Sequence, residues 1–196
     1  MDQQTPSDID GKLTVLSEHY NKCIDTLKLD IKYRDKYFLI TLAILTLLLL
    51  KSSDKNLFEI IINKIINFNG SADIYKHNYT DLFLWGVSFF SYIKYTQYHS
   101  NIEVSYKYLK QLEYELNIYF SGVIFTKESS FYKDTKSYIK KTNKVMMKFV
   151  FPVIMLLIVV VNIYDIIKGS VKINDILELS ICFLFVHHVL FFMRES

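Results

Sequence analysis

Polar residues inside strongly apolar stretches are the first candidates for chemistry in this sequence. Asn162 and Asp165 lie in one apolar run near the C-terminus, and Glu178, Ser180 and His187 lie in the next. Ionisable groups are expensive to place in lipid, so their presence there marks positions of function. Carboxylates attract cations, and an imidazole can sense pH or relay protons. These five residues are therefore our candidates for an ion or proton site.

The two carboxylates have two interpretations. Asp165 and Glu178 fall at similar depth near the outer surface, with Asn162 one helical turn from Asp165. Together they could form a cation-attracting mouth. The alternative is that they pair with Lys168 and Lys172, which would make them structural.

The last apolar run contains a second polar pair. Ser180 and His187 are one heptad apart and share a helix face, whereas His188 points elsewhere. A pH sensor or proton relay is the sharper interpretation of one of these two histidines, with His187 as the candidate, and a neutral, hydrogen-bonded histidine is the simpler one. A semi-polar stripe of Ser88, Tyr92 and Tyr95 on an earlier apolar run suggests a water path between these two segments.

Four apolar stretches must position these residues, and we predict that each spans the membrane as a helix. Phe149–Ile167 and Ile176–Met193 are long enough to cover roughly 27–28 Å, close to a bilayer core. Leu82–Tyr98 is weaker because Lys94 interrupts it. Tyr37–Leu50 covers only about 21 Å, so a buried soluble helix is the alternative there. The predicted fold is an all-α, four-helix membrane bundle forming a single membrane domain.

The distribution of Lys and Arg predicts the orientation of this bundle. Most of the cations outside the spans lie in the N-terminal segment and between the second and third spans. The positive-inside rule then puts both termini in the cytoplasm.

Helical stripes flank the first two spans. Apolar residues recur at three- and four-residue steps in 11–36 and again in 99–120, which predicts cytoplasmic helices continuous with the spans. They can pack on each other as an antiparallel stalk, or serve oligomerisation or partner docking. Residues 56–68 form a short amphipathic helix, which lies flat in the outer headgroup layer or caps the bundle.

A basic segment covers residues 126–148. Its cations would attract anionic lipid or a partner at roughly 1 kcal/mol each, or act only as a topology signal. An acidic ligand could use the same charge, but we do not expect nucleic acid to be the partner. The candidate contact residues are Lys127, Lys133, Lys136, Lys140, Lys141 and Lys144.

Sequence motifs for enzymatic chemistry are missing. There is no phosphate-binding glycine loop, dinucleotide fingerprint, zinc-ligand spacing or nucleophile elbow, and the five histidines suggest no triad. We therefore expect no enzyme, cofactor or metal site. Cys23 and Cys182 lie in unlike settings, which favours free thiols over a disulfide.

The stretch YIKYTQYHSNIEVSYKYLKQLEYELN (Tyr92–Asn117) resembles the helix that leaves the second span in small bacterial four-helix membrane proteins. The layout also resembles membrane subunits of bacterial anti-phage systems, such as the Kiwa membrane component. This resemblance implies a bacterial inner-membrane protein that acts as a sensor or a membrane-perturbing effector. It carries no site residues over.

We expect from these observations a non-enzymatic, homo-oligomeric protein that senses or perturbs the bilayer and couples to a cytoplasmic protein partner. A small ion channel or transport subunit is one alternative. A scaffold for a membrane complex is another.

Overall fold

The computed structural model describes residues 6–66, 79–119, 142, 145–168 and 173–195. The secondary structure of this part of the chain is helical, without a strand. The helices are α1 (Pro6–Ser53), α2 (Lys55–Ile66), α3 (Tyr79–Tyr119), α4 (Phe151–Lys168) and α5 (Ile173–Glu195). A π-helical turn, Met146–Val150, leads directly into α4, and the backbone N–H of Phe151 donates to the carbonyl of Met146.

Helices α1 and α3 are each uninterrupted across a polar and an apolar stretch of sequence. The stretch Tyr37–Leu50 lies inside α1, and Leu82–Tyr98 lies inside α3. No proline follows Pro6 within α1, and Pro6 is its first residue, where a missing N–H costs little. After Ser53, Asp54 caps the start of α2, and its Oδ1 accepts the backbone N–H of Leu57 at 3.0 Å.

The chain divides into two compact units. The first, which we call the polar unit, comprises the described residues of Met1–Asp35 and Gln97–Lys141. The second, the apolar unit, comprises those of Lys36–Thr96 and Thr142–Ser196.

The polar unit is built from an antiparallel pair of helical segments. The hydroxyl of Tyr20 donates to Glu113 Oε1 at 3.1 Å, and the rings of Tyr33 and Tyr98 stack at 5.4 Å. These contacts run in opposite directions along α1 and α3. The core between the segments consists of the two predicted apolar stripes, with Tyr20, Leu27, Ile102, Leu109, Leu112 and Leu116 buried.

The core of the apolar unit contains side chains from all five helices. Phe38 of α1 packs 4.7 Å from Phe151 of α4, ring centre to ring centre, while Ser52 of α1 donates to Asp165 near the other end of α4 at 3.3 Å. These segments of α1 and α4 therefore run parallel. Lys51 pairs with Asp81 of α3 at 2.6 Å.

Helix α2 contributes to this core from one face. Phe58 and Ile62 are buried among residues of the other helices, whereas Leu57 and Ile60 are exposed. Helix α2 therefore packs on the other helices along the face that contains Phe58 and Ile62.

The surface of the apolar unit is itself hydrophobic. Large apolar side chains stand exposed along its helices, among them Leu39, Phe83, Phe90, Leu157, Val160, Phe183 and Leu184. A soluble protein rarely presents so much contiguous apolar surface to water. Among the described helices, three are long and apolar enough to cross a membrane: α1, α4 together with its π-helical turn, and α5.

Candidate functional site

Helix α3 carries a row of polar and aromatic side chains into the core of the apolar unit. Trp85, Ser88, Tyr92 and Tyr95 are all almost fully buried. They are spaced three or four residues apart, which places them on one helix face. The predicted stripe of Ser88, Tyr92 and Tyr95 is therefore internal, and it lowers the hydropathy of α3 without exposing polar groups to the surroundings.

A hydrogen-bonded cluster joins α4 to α5 inside the same unit. The side-chain amide of Asn162 donates to Glu178 Oε1 at 2.7 Å and lies 3.7 Å from the Sγ atom of Cys182. Glu178 and Cys182 are both buried. The Glu178 carboxyl also interacts electrostatically with Lys51 and Asp81. A carboxyl group is thus held in an apolar core beside an amide donor and an ion pair.

The other end of the α3–α5 contact contains a histidine. The Nε2 atom of His188 lies 2.9 Å from the Thr96 hydroxyl, which also donates to its own helix at Ile93. Tyr92 stacks on Phe185 at 5.2 Å and meets His188 edge-on at 5.8 Å. The contacts advance in the same direction along both helices, so these segments of α3 and α5 run parallel.

The π-helical turn provides a further acceptor. The Tyr95 hydroxyl lies 3.2 Å from the backbone carbonyl oxygen of Met147 and 3.4 Å from its sulfur. A π-helical turn changes the usual hydrogen-bond ladder, and such turns occur often at functional sites.

Three buried polar atoms in this core have no hydrogen-bond partner among the described residues. They are Trp85 Nε1, Ser88 Oγ and the hydroxyl oxygen of Tyr92. Buried polar groups in proteins are almost always hydrogen-bonded. The core therefore offers hydrogen-bonding capacity between the Asn162–Glu178 cluster and His188, and we call this row of groups the internal polar column.

The structure unites some of the predicted site residues and separates others. Asn162 and Glu178 are in contact, as a shared site requires. Asp165 is exposed and accepts from Ser52, while Lys168 lies over the ring of Tyr164 at 4.4 Å. The predicted partner Lys172 lies outside the described residues.

Ser180 and His187 do share a face, but that face is exposed. Ser180 donates only to the carbonyl of Ile176 in its own helix, at 2.9 Å. The neighbouring His188 points into the core instead. Successive residues are about 100° apart on a helix, and here the His188 side chain faces the core while that of His187 is exposed.

Sequence reasoning missed Cys182, Thr96 and His188 as members of the column. The spacing of Glu178, Cys182, Phe185 and His188 was the available signal, because it places them along one side of α5. The six candidate lysines Lys127, Lys133, Lys136, Lys140, Lys141 and Lys144 lie outside the described residues.

Within the described ranges, no group of three or more His, Cys, Asp or Glu side chains is arranged to hold a metal ion. Both cysteines are free, Cys23 half-buried and Cys182 buried. The chemistry available to the column is hydrogen bonding and proton exchange among a carboxyl, hydroxyls and an imidazole. No model of a known protein family matches this chain, and searches of curated proteins and of solved structures found no match either.

Proposed function

We propose that this chain is a non-enzymatic integral membrane protein that couples the state of the bilayer to its polar unit. The observation that carries the proposal is the continuity of α1 and α3. Each is a single helix that contributes both to the apolar unit and to the polar unit. A helix resists bending. A change in the tilt or depth of its apolar part would therefore be transmitted along the rest of the helix.

The membrane form in this proposal is a four-helix bundle, with α3 as the fourth span. The polar side chains of α3 are directed into the core, while Phe83 and Phe90 are exposed. Lipid would therefore contact an apolar surface despite the low hydropathy of the helix. Lys94 lies over the ring of Phe90 at 5.7 Å and can extend to the headgroups.

The proposed location is the bacterial inner membrane, with both termini in the cytoplasm. The excess of Lys and Arg in the N-terminal and central segments supports this orientation. The polar unit would then meet a cytoplasmic protein partner, and anti-phage defence is the role that the resemblance in layout favours.

Bilayer thickness provides the direct test of coupling. The full-length protein would be reconstituted in vesicles of lipids with 14-carbon or 20-carbon acyl chains, and hydrogen exchange would be followed in residues 102–116. We expect exchange there to differ between the two bilayers by about threefold or more, because about 0.7 kcal/mol of coupling suffices for that. Equal exchange in both bilayers would refute the proposal.

Helix continuity is tested by two insertions. Two glycines inserted between Asp35 and Lys36 interrupt α1, and the thickness response should shrink because glycine breaks the rigid connection. The matched control inserts the same two glycines after Asp54, between α1 and α2, where α1 stays intact. A response that survives the first insertion unchanged would exclude α1 as the connection.

Ion or proton transport is a second candidate function, favoured by the contact of Asn162 with the buried Glu178. Flux across vesicles containing the purified protein would test it. Glu178→Gln should abolish flux, because it removes the ionisable group from the column. Asp165→Asn is the control, since Asp165 is exposed. Flux that persists in Glu178→Gln would rule out this mechanism.

A further inference from the structure

The exposed side of α5 has a regular pattern of its own. The residues Ile173, Leu177, Ser180, Leu184, His187, Phe191 and Arg194 are all exposed. They follow one another at alternating four- and three-residue steps, which is the spacing of a heptad seam. Such a seam on the outside of a helix is the pattern by which two helices pack in a left-handed pair at about 20°.

His187 is the residue on this seam whose hydrogen-bonding groups lipid chains cannot pair with. Elsewhere on the apolar helices, the exposed hydroxyls of Thr46 and Ser180 each donate to a carbonyl of their own helix, at 2.8 Å and 2.9 Å. The imidazole of His187 makes no such bond to the described residues of its own helix. The His187 ring has no hydrogen-bond partner among the described residues, whereas the adjacent His188 has one in Thr96.

The position of His187 makes this cost substantial. It lies two helical turns from Arg194 at the end of α5, and the exposed residues around it are apolar, including Phe183, Leu184 and Leu190. A polar group at such a depth gains by contacting protein instead of lipid. The group that lacks a hydrogen-bond partner within the described ranges, the His187 imidazole, therefore lies on this face of α5.

We propose that a second copy of the chain covers this face, with the α5 helices side by side and parallel. Copies inserted in the same membrane share one orientation, so equivalent residues lie at the same depth. A two-fold axis along the membrane normal then brings each seam residue next to its counterpart. The proposal rests on the membrane insertion put forward above.

The imidazole suits this symmetry. A neutral histidine has one N–H donor and one acceptor nitrogen, so His187 of one copy can donate to His187 of the other. Ser180, one heptad away, is small and lets the helices approach closely. A polar residue on an otherwise apolar seam also fixes the register of the pair.

Cysteine cross-linking in native membranes tests the surface. Leu184→Cys lies on the seam, and Leu157→Cys on α4 is the matched control, because both side chains are exposed leucines near the middle of an apolar helix. Under mild oxidation we expect a disulfide-linked dimer with Leu184→Cys above the level seen in the unmodified chain, and none with Leu157→Cys. Equal cross-linking at both positions, or at neither, would overturn the proposal, as would a linkage of Leu184→Cys to a different protein.

The role of His187 is tested by its replacement. His187→Leu keeps the surface apolar and should weaken self-association about 3- to 30-fold, which is the range for a hydrogen bond between helices in a membrane. His187→Asn restores a donor and an acceptor and should recover most of that loss. Unchanged association in His187→Leu would exclude the imidazole contact.

Alkaline carbonate extraction of the same membranes separates the two proposals. A chain that is released by carbonate is not inserted, and both proposals then fail. A chain that stays with the lipid, but forms no Leu184→Cys dimer, contradicts the self-association surface alone.

Discussion

The hydrogen bond from Asn162 to Glu178 compensates for placing a carboxyl group in the apolar core. The amide donates to one carboxyl oxygen at 2.7 Å, and Lys51 and Asp81 interact with the same group. Removing a partner from a buried polar group costs more than the bond itself contributes, because the group left behind stays desolvated.

A double-mutant cycle should measure this contact. Asn162→Leu is expected to reduce the free energy of unfolding by about 1–2 kcal/mol, measured by denaturant titration in mixed micelles. Combining it with Glu178→Leu should give a loss smaller than the sum of the two single losses. Ser180→Ala is the control and should change stability little, since Ser180 is exposed and bonds only its own helix. Strict additivity would show that the two side chains do not interact.

Asp30 gives the polar unit a dependence on pH. Partial burial raises the pKa of its carboxyl above the ordinary value of 3.8. The folded state therefore holds the Asp30 proton more tightly than the unfolded state does. This contribution is fully present below pH 3.8 and is lost as pH rises through the folded-state pKa.

We therefore expect Asp30→Asn to stabilise the polar unit at neutral pH, by less than about 1 kcal/mol because the group is largely solvated. The gain should vanish in acid below the ordinary pKa. Thermal melts of the full chain at pH 3 and pH 7 would check it, with the exposed Asp25→Asn as control. Destabilisation at pH 7 would contradict the assignment.

At the scale of helices, the buried face of α5 is a feature that the sequence pattern does not predict. The pattern predicted that Ser180 and His187 share a face, and they do. It could not tell which face turns inward, because α5 is apolar on all sides and its composition favours no single face. In the polar unit, by contrast, the apolar residues form one stripe among polar ones, so the stripe containing Leu109 and Leu116 identified the buried side.

Helix α3 is a second case. Its serines and tyrosines look unfavourable for a span by hydropathy, yet they are the residues that pack inside. Composition alone does not record on which side of a helix a polar group lies. The contacts of Tyr92 with Phe185 and His188 depend on helices far apart in sequence, so no local pattern specifies them.

Helix α2 should be held to the apolar unit mainly by its buried side chains, of which Phe58 is the largest. Phe58→Ala removes a fully buried ring and is expected to cost about 3–5 kcal/mol, in the range of other aromatic truncations. Ile60→Ala on the exposed face of the same helix is the control and should cost far less. Unfolding in mixed micelles measures both. Similar losses for the two variants would mean that α2 does not pack as described.

At the scale of the whole molecule, the proposed four-span bundle predicts on which side of the membrane each terminus lies. With four spans the two termini share one side of the membrane, and the end of α1 at Ser53 lies on the other. With three spans the termini would be separated.

Labelling with a membrane-impermeant maleimide in intact cells distinguishes these arrangements. In a Cys23→Ser background we expect Ser7→Cys and Ser196→Cys to react only after permeabilisation, because both would be cytoplasmic. Ser53→Cys should react without it. Labelling of one terminus but not the other in intact cells would refute the four-span bundle.

Trp85 is the single tryptophan of the chain, and it is buried against the edge of Phe185 in the apolar core. Intrinsic fluorescence excited at the red edge therefore reports on one location without any label. Emission should be blue-shifted in the native protein, and iodide should quench it poorly. Water entering the internal polar column would shift that emission to longer wavelength, so the unmodified protein already contains an optical probe of its own hydration.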